Sequence, residues 1–152
     1  MLTVGPHLDP RFKTITEIEE ILFPTDLSRE SQAVFPYLAA LAHEFDSRIT
    51  ALYVLPPETE HNPEAIDLAE PLRMKMVRTF GPQISPRCEA DFVIDAGYAA
   101  EKILFQANKR NADLIGFGVR KAGGITTHFR STVAYRVLLN ATCPVLTYCS
   151  HR

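Results

Sequence analysis

Along this chain, short apolar runs alternate with stretches whose apolar residues recur every three to four positions, and the order of the two patterns predicts its elements. Glu20-Ile21-Leu22-Phe23-Pro24 is a run of strand length stopped by proline. Thr25-Asp26-Leu27-Ser28 turns the chain, and Ser28 is suited to cap a helix over residues 29–45 with the stripe Val34, Leu38, Leu41 and Phe45. Pro36 falls inside that helix, where it should remove one backbone hydrogen bond and bend the second turn. Ile49–Leu55 is a second strand, ended by Pro56-Pro57. Residues 64–80 read either as a helix interrupted at Pro71 or as a shorter helix flanked by loop. Ala90–Asp95 is a third strand, Gly97 turns the chain, and Ala100, Ile103, Leu104 and Ala107 mark an amphipathic helix with Glu101 in its first turn.

Asp113–Gly118 is a fourth strand closed by glycine. Val119 to Arg130 has no sustained period and carries Gly123-Gly124, so it reads as loop. Ser131 or Thr132 can cap the helix that follows, with Ala134, Val137, Leu138 and Ala141 on its apolar face. Pro144–Tyr148 is the fifth strand. Such alternation predicts an α/β fold: a five-stranded, mainly parallel sheet with helices on both faces, because parallel strands need right-handed crossovers. Residues 1–18 stand outside the pattern as an N-terminal extension, flexible or laid along the surface, ahead of one domain over residues 19–152.

A chain of 152 residues suits that single domain, and its 46% hydrophobic content is ordinary for a globular protein. A formal net charge of −2 gives no reason to expect nucleic-acid binding, for which a basic stripe would be wanted. No apolar run approaches membrane-span length and the opening residues lack a signal-peptide core, so a cytoplasmic protein is expected. Cys88, Cys143 and Cys149 form an odd set without metal-ligand spacing, consistent with reduced thiols; a redox role for Cys149 is the alternative. His7, His43, His61, His128 and His151 are scattered without metal-like spacing. No G-x4-G-K-[ST], His-Glu-x-x-His or G-x-S-x-G signature is present, so the chain is not expected to be an enzyme.

The loop after the fourth strand is where an α/β protein holds an anion, since free backbone N–H groups and a helix N-terminus converge there. The segments ILFPTDLS at 21–28, ALYV at 51–54, AGYAAEKIL at 96–104 and the stretch 113–148, in this order and spacing, resemble the universal stress protein family from about Glu20 to Tyr148. That resemblance implies a Rossmann-like, adenine nucleotide alpha hydrolase-like fold and a stress-response role. Nucleotide-binding members carry G-x2-G-x9-G-[ST] after the fourth strand. Laid on this chain, the pattern falls on Gly118, Lys121, Ser131 and Thr132, so the spacing survives while two of three glycines do not. Lys121 can obstruct the phosphate space, contribute a charge to phosphates, or sit solvated; Ser131 stays small and can still cap a helix.

By resemblance, Pro24, Thr25 and Asp26 lie against the nucleoside, with the Asp26 carboxylate toward ribose hydroxyls. Val54 meets the adenine edge through its backbone, Phe117 sits beside the base or is simply buried, and Val133, next to Thr132, is counted among the nucleotide-binding residues. Two readings stand side by side: an ATP-binding regulator, and a member whose adenine-nucleotide site is degraded. A weak ATPase is a third reading. The family also implies a homodimer through the fifth strand, Val145–Tyr148, while net charge and hydropathy give no reason to expect a nucleic-acid or membrane partner. A response-regulator receiver would need an acidic pair at the strand ends, and none accompanies Asp26. All of these readings require Asp26 and Gly118 to meet in one cleft.

Overall fold

The computed structural model describes residues 1–13, 17–120 and 132–149. Among the described residues six strands form one sheet: β1 (Leu2–Thr3), β2 (Glu20–Pro24), β3 (Arg48–Leu55), β4 (Ala90–Ala96), β5 (Leu114–Val119) and β6 (Val145–Cys149). Among the same residues four α-helices connect them: α1 (Arg29–Phe45), α2 (Pro63–Phe80), α3 (Ala99–Lys109) and α4 (Val133–Asn140). The strands lie side by side in the order β1-β6-β5-β2-β3-β4. β2 through β6 are parallel, and β1 alone runs antiparallel, against β6. The five expected strands are all present, and the sixth comes from the extension.

The core is split by the sheet. Val34, Phe35 and Leu38 of α1 pack with Met76 and Phe80 of α2 on one face. Ala100, Ile103 and Ala107 of α3 join Ala134 and Val137 of α4 on the other. On the first face Phe23, Phe35 and Phe80 form a triangle with centroid separations of 4.6 to 5.0 Å, each pair tilted or edge-on as the ring quadrupoles favour. Leu41 is only partly buried and Phe45 is exposed; Ser31, Phe35, Ala39 and Ala42 take the inward places instead, so the buried stripe of α1 is rotated from the expected one. The helix spans residues 29–45 as expected, with Pro36 inside it.

Two expectations are corrected. Pro71 does not interrupt α2, which runs unbroken over 18 residues. Ala65 near one end and Met76 and Phe80 at the other are buried, and that burial outweighs the roughly 3 kcal/mol an interior proline costs. The extension is also more structured than expected. Leu2 and Thr3 lie across from Leu146 and Val145, Asp9 N–H donates to the Thr142 carbonyl at 2.9 Å, and Phe12 is buried in the α3–α4 core. Among the described residues no helix is long and apolar enough to cross a membrane.

The strand order places the reversal of the sheet between β2 and β5. Connections from β2 run outward through β3 and β4, then return to β5 on the other side of β2. In open α/β sheets a crevice forms beyond the carboxyl ends of the strands at such a point.

Candidate functional site

That crevice holds a cavity of about 440 Å³. The volume lies within the range of small-molecule pockets. Its floor comes from the carboxyl ends of β2, β3 and β5, and its walls from the first turns of α1, α3 and α4. The N-termini of α1 and α4 both open toward it, so two positive helix-dipole ends and their unsatisfied N–H groups face the same space.

The β2–α1 connection is tied in place by its own side chains. Thr25 N–H donates to the Leu52 carbonyl at 2.9 Å, which keeps the end of β2 against β3. The Thr25 and Ser31 hydroxyls are 2.8 Å apart, and Leu27 N–H donates to Thr25 Oγ1 at 3.0 Å. Ser28 caps α1 by accepting from Ser31 N–H at 3.2 Å, as its position suggests. Leu27 adopts the left-handed region, with φ of 62°. A non-glycine residue pays for that conformation, and such strain concentrates where a site must be held in one shape. Here it points the chain from the end of β2 into α1 within four residues.

Asp26 sits exposed at the cavity rim and accepts a hydrogen bond from Ser28 N–H at 2.9 Å. Partial burial by itself pushes this carboxyl up, but hydrogen bonds from Ser28, side chain and backbone, and from Ser31 outweigh it and hold the group below its ordinary value. Asp26 is therefore an anion at neutral pH, an acceptor ready for hydroxyl donors. Glu30, in the first turn of α1, also lines the cavity and pairs with Arg120 at 3.2 Å.

Gly118 stands where β5 passes beneath α1. A Cβ there would lie 1.8 Å from the Glu30 carbonyl oxygen and 2.6 Å from the Ser31 Cα, so no other residue fits without moving the helix. Phe117 lines the cavity and is itself buried, 7% exposed, within the α3–α4 core. Val54 lies near the end of β3 opposite Asp95 of β4 and borders the cavity beside Tyr53. Thr132 caps α4 by accepting from Tyr135 N–H at 3.2 Å, and Val133 follows it into the cavity wall.

Eight of the residues singled out in the sequence thus border one cavity: Pro24, Thr25 and Asp26 from β2 and its turn, Val54, Phe117 and Gly118 from β3 and β5, and Thr132 and Val133 from α4. Lys121 and Ser131, with Gly123-Gly124, His128 and Arg130, lie outside the described residues. Sequence reasoning missed Glu30 and Ser31 of α1 and Ala99 and Ile103 of α3, all cavity-lining. The helix N-terminus following β2 was a signal for the first two. Nothing local marked the second pair, whose place depends on how α3 crosses the sheet.

Asp95, the other strand-end aspartate, serves a different contact. Burial tends to raise its carboxyl, but hydrogen bonds from the Gln106 side chain and Ala96 N–H, with Lys102 close by, bring it below the ordinary value. Among the described residues no group of three His, Cys, Asp or Glu side chains could hold a metal ion.

Residues 17–148 match the universal stress protein family. The chain is 30% identical over 138 residues to universal stress protein MJ0531 of Methanocaldococcus jannaschii, covering 84% of this chain and 80% of that one. It is 32% identical over 130 residues to universal stress protein Sll1654 of Synechocystis, with 83% and 82% covered. Among solved structures, a universal stress protein in complex with cAMP superposes with a TM-score of 0.69 at 12% identity, over 88% of this chain and 98% of the other. A universal stress protein from Archaeoglobus fulgidus in complex with dAMP gives 0.64 at 18% identity, over 88% and 98%. At those identities the two structures speak for the fold.

Proposed function

Because this chain belongs to the universal stress protein family, we propose that it is a stress-response domain that binds an adenine nucleotide between β2 and β5, with the nucleoside end of the site intact and the phosphate end altered. The observation that carries this reading is the meeting of Asp26 and Gly118, 92 positions apart in the chain, on one cavity flanked by two helix N-termini. Structural neighbours in complex with cAMP and dAMP support an adenine ligand of one phosphate.

The altered phosphate end rests on Lys121 and Ser131, which replace motif glycines in the sequence. A side chain where glycine would let the backbone approach the phosphates leaves less room for a triphosphate, so adenosine and its monophosphates should bind better than ATP. Isothermal titration with adenosine, AMP and ATP tests this. Saturable binding with ATP weakest is expected. No heat and no thermal shift with any of the three at millimolar concentration would remove the proposal.

We read the domain as a binding module rather than an enzyme. Asp26 is held as an anion by Ser28, and Glu30 is engaged by Arg120, which leaves both cavity carboxylates employed in structure. Turnover of labelled ATP above that of a loop-deleted control would show the opposite. Burial pushes the Cys143 thiol up to about 12 and keeps it protonated, so it offers no nucleophile.

A further inference from the structure

Among the described residues nothing closes the far edge of the sheet, where β4 pairs with β3 alone. Ile49 N–H donates to the Glu89 carbonyl and Gly97 N–H to the Leu55 carbonyl, so the odd-numbered residues from 89 to 97 turn their main-chain groups toward β3. Those of Ala90, Phe92, Ile94 and Ala96 therefore point outward. Ala96 N–H is taken by Asp95 Oδ1 at 2.8 Å, and among the described residues no group meets the N–H of Phe92 or Ile94. Sheets commonly blunt such an edge with a proline, a lysine, a bulge or a very short strand. β4 is seven residues long, Ala-Asp-Phe-Val-Ile-Asp-Ala, in unbroken register with β3, and has none of these. Its two aspartates are drawn to α3: Asp91 accepts from Arg110 and Asp95 from Gln106, each at 2.9 Å.

Beside the carboxyl end of this edge runs a groove of about 430 Å³, with Leu55, Ala65, Ile66, Ala69 and Ile94 as its apolar lining. It exists because α2 seats on the sheet by its second half, where Met76 and Phe80 are buried. Of its first half only Ala65 is buried, and Ile66 is 76% exposed. The wall so formed is acidic. Between Arg48 and Arg73 the chain carries five acids, Glu58, Glu60, Glu64, Asp67 and Glu70, and no Lys or Arg. Glu70 pairs with Arg73 at 2.6 Å and Glu60 with Lys102 at 3.4 Å, while among the described residues Glu58, Glu64 and Asp67 are in no ion pair.

We propose that β4 and this groove form a docking site for an extended, basic segment of a partner protein, which joins the sheet as a further strand. Main-chain hydrogen bonds to Phe92 and Ile94 hold the segment, its apolar side chains enter the groove beside Ile66, and its Lys or Arg side chains reach the acids of the first half of α2. Charge selects this occupant. The same carboxylates repel nucleic acid and anionic membranes, and a second copy brings no complement, since its β4 carries two aspartates and no Lys or Arg. The groove shares no lining residue with the cavity between β2 and β5, and β4 lies across the sheet from Val145–Tyr148, so docking leaves both the nucleotide site and the pairing expected there free.

A short peptide of alternating lysine and valine is the probe, followed by heteronuclear NMR of the full chain at low and moderate salt. The amide signals of Phe92, Ile94 and Ile66 should shift saturably, with affinity falling as salt rises. A peptide with glutamate in place of lysine should not bind. Nor should one with proline in place of the central valines, which keeps the charge but loses main-chain donors. Ile66→Lys, at an exposed position, should stay folded by circular dichroism and bind the lysine–valine peptide at least about tenfold more weakly. Absence of binding, equal binding of the proline form, shifts confined to residues away from β4 and α2, or full affinity in Ile66→Lys would each overturn the proposal. So would self-association of the full chain that Ile66→Lys abolishes, because it would seat a second copy in the groove.

Discussion

Gly118 on β5 and Glu30 on α1 meet backbone to backbone: a side-chain carbon on the glycine would overlap the Glu30 carbonyl oxygen at 1.8 Å. This contact sets how deeply the first turn of α1 leans over the sheet, and so fixes one wall of the cavity. Gly118→Ala should force the helix outward, lower stability by about 1–3 kcal/mol in denaturant melts and weaken adenosine binding at least about tenfold. A variant with wild-type stability and affinity would show that α1 yields freely.

Glu30 faces the same cavity with a charge, and its partner Arg120 is largely exposed. Glu30→Gln leaves the Arg120 guanidinium without its carboxylate partner at the rim, so the net charge there turns positive. Isothermal titration should then show ATP affinity rising by about three- to tenfold while adenosine affinity hardly moves, a difference of roughly 1 kcal/mol suited to two charges in a partly hydrated cleft. Equal gains for both ligands would point to reshaping of the cavity instead.

Asp26 adds an acid-sensitive contribution. Its carboxyl is partly buried, which alone would raise its pKa, but the Ser28 and Ser31 hydrogen bonds leave it lower in the folded protein than in the unfolded chain. The stabilisation is complete above the unfolded value of about 4 and disappears as pH falls through the folded one. Asp26→Asn should therefore flatten part of the acid limb of a stability–pH curve and, by removing an ionised acceptor, reduce adenosine affinity by about tenfold. An unchanged acid limb would assign that limb to other carboxylates.

Glu20 behaves in the opposite sense. It is 7% exposed at the start of β2 and accepts a hydrogen bond from Thr50 at 2.6 Å. Burial raises its carboxyl pKa, against the lowering effects of Thr50 and the Arg110 charge. A raised folded value means that ionisation costs the fold stability as pH climbs from the unfolded value through the folded one. Glu20→Gln keeps an acceptor for Thr50 and cannot ionise. Its melting midpoint should exceed that of the wild type at pH 7.5, and the gap should close toward pH 4. A gap that does not change with pH would place the effect in packing.

The thiols divide in the same way. Cys143 is buried with its pKa pushed to about 12, whereas Cys88 and Cys149 are half-buried. A disulfide reagent should modify Cys143 only after denaturation. Rapid native labelling of Cys143, followed by mass spectrometry, would show that the β6 end of the core opens readily.

Much of this was legible before any coordinates. The β2 run, the Ser28 cap, α1 over residues 29–45 and the succession of strands and helices along the chain follow from local patterns, because burial on both faces leaves an apolar run and a helix leaves a period. β1 was not legible, since a two-residue strand offers no window in which alternation can be seen. Phe12 is a single aromatic in an aperiodic stretch, and only the fold reveals that it enters the core. Of the site, the residues at strand ends could be found by position and family pattern. Ala99 and Ile103 could not, as their places depend on how α3 crosses a sheet whose order is not written locally.

Two glycines two residues apart on β5 receive the same helix: Gly116 meets the Leu38 side chain and Gly118 the backbone of Glu30 and Ser31. Where Gly118 borders the cleft, the seat of α1 on β5 is main chain against main chain, so mutation can change the rim side chains of α1 but not the depth at which the helix sits. The opposite side, from Ile103 of α3 to Val133 and Ala134 of α4, is built of side chains. Divergence in ligand preference among proteins built on this plan should accumulate on that second bank, and a redesign of the pocket has its freedom there.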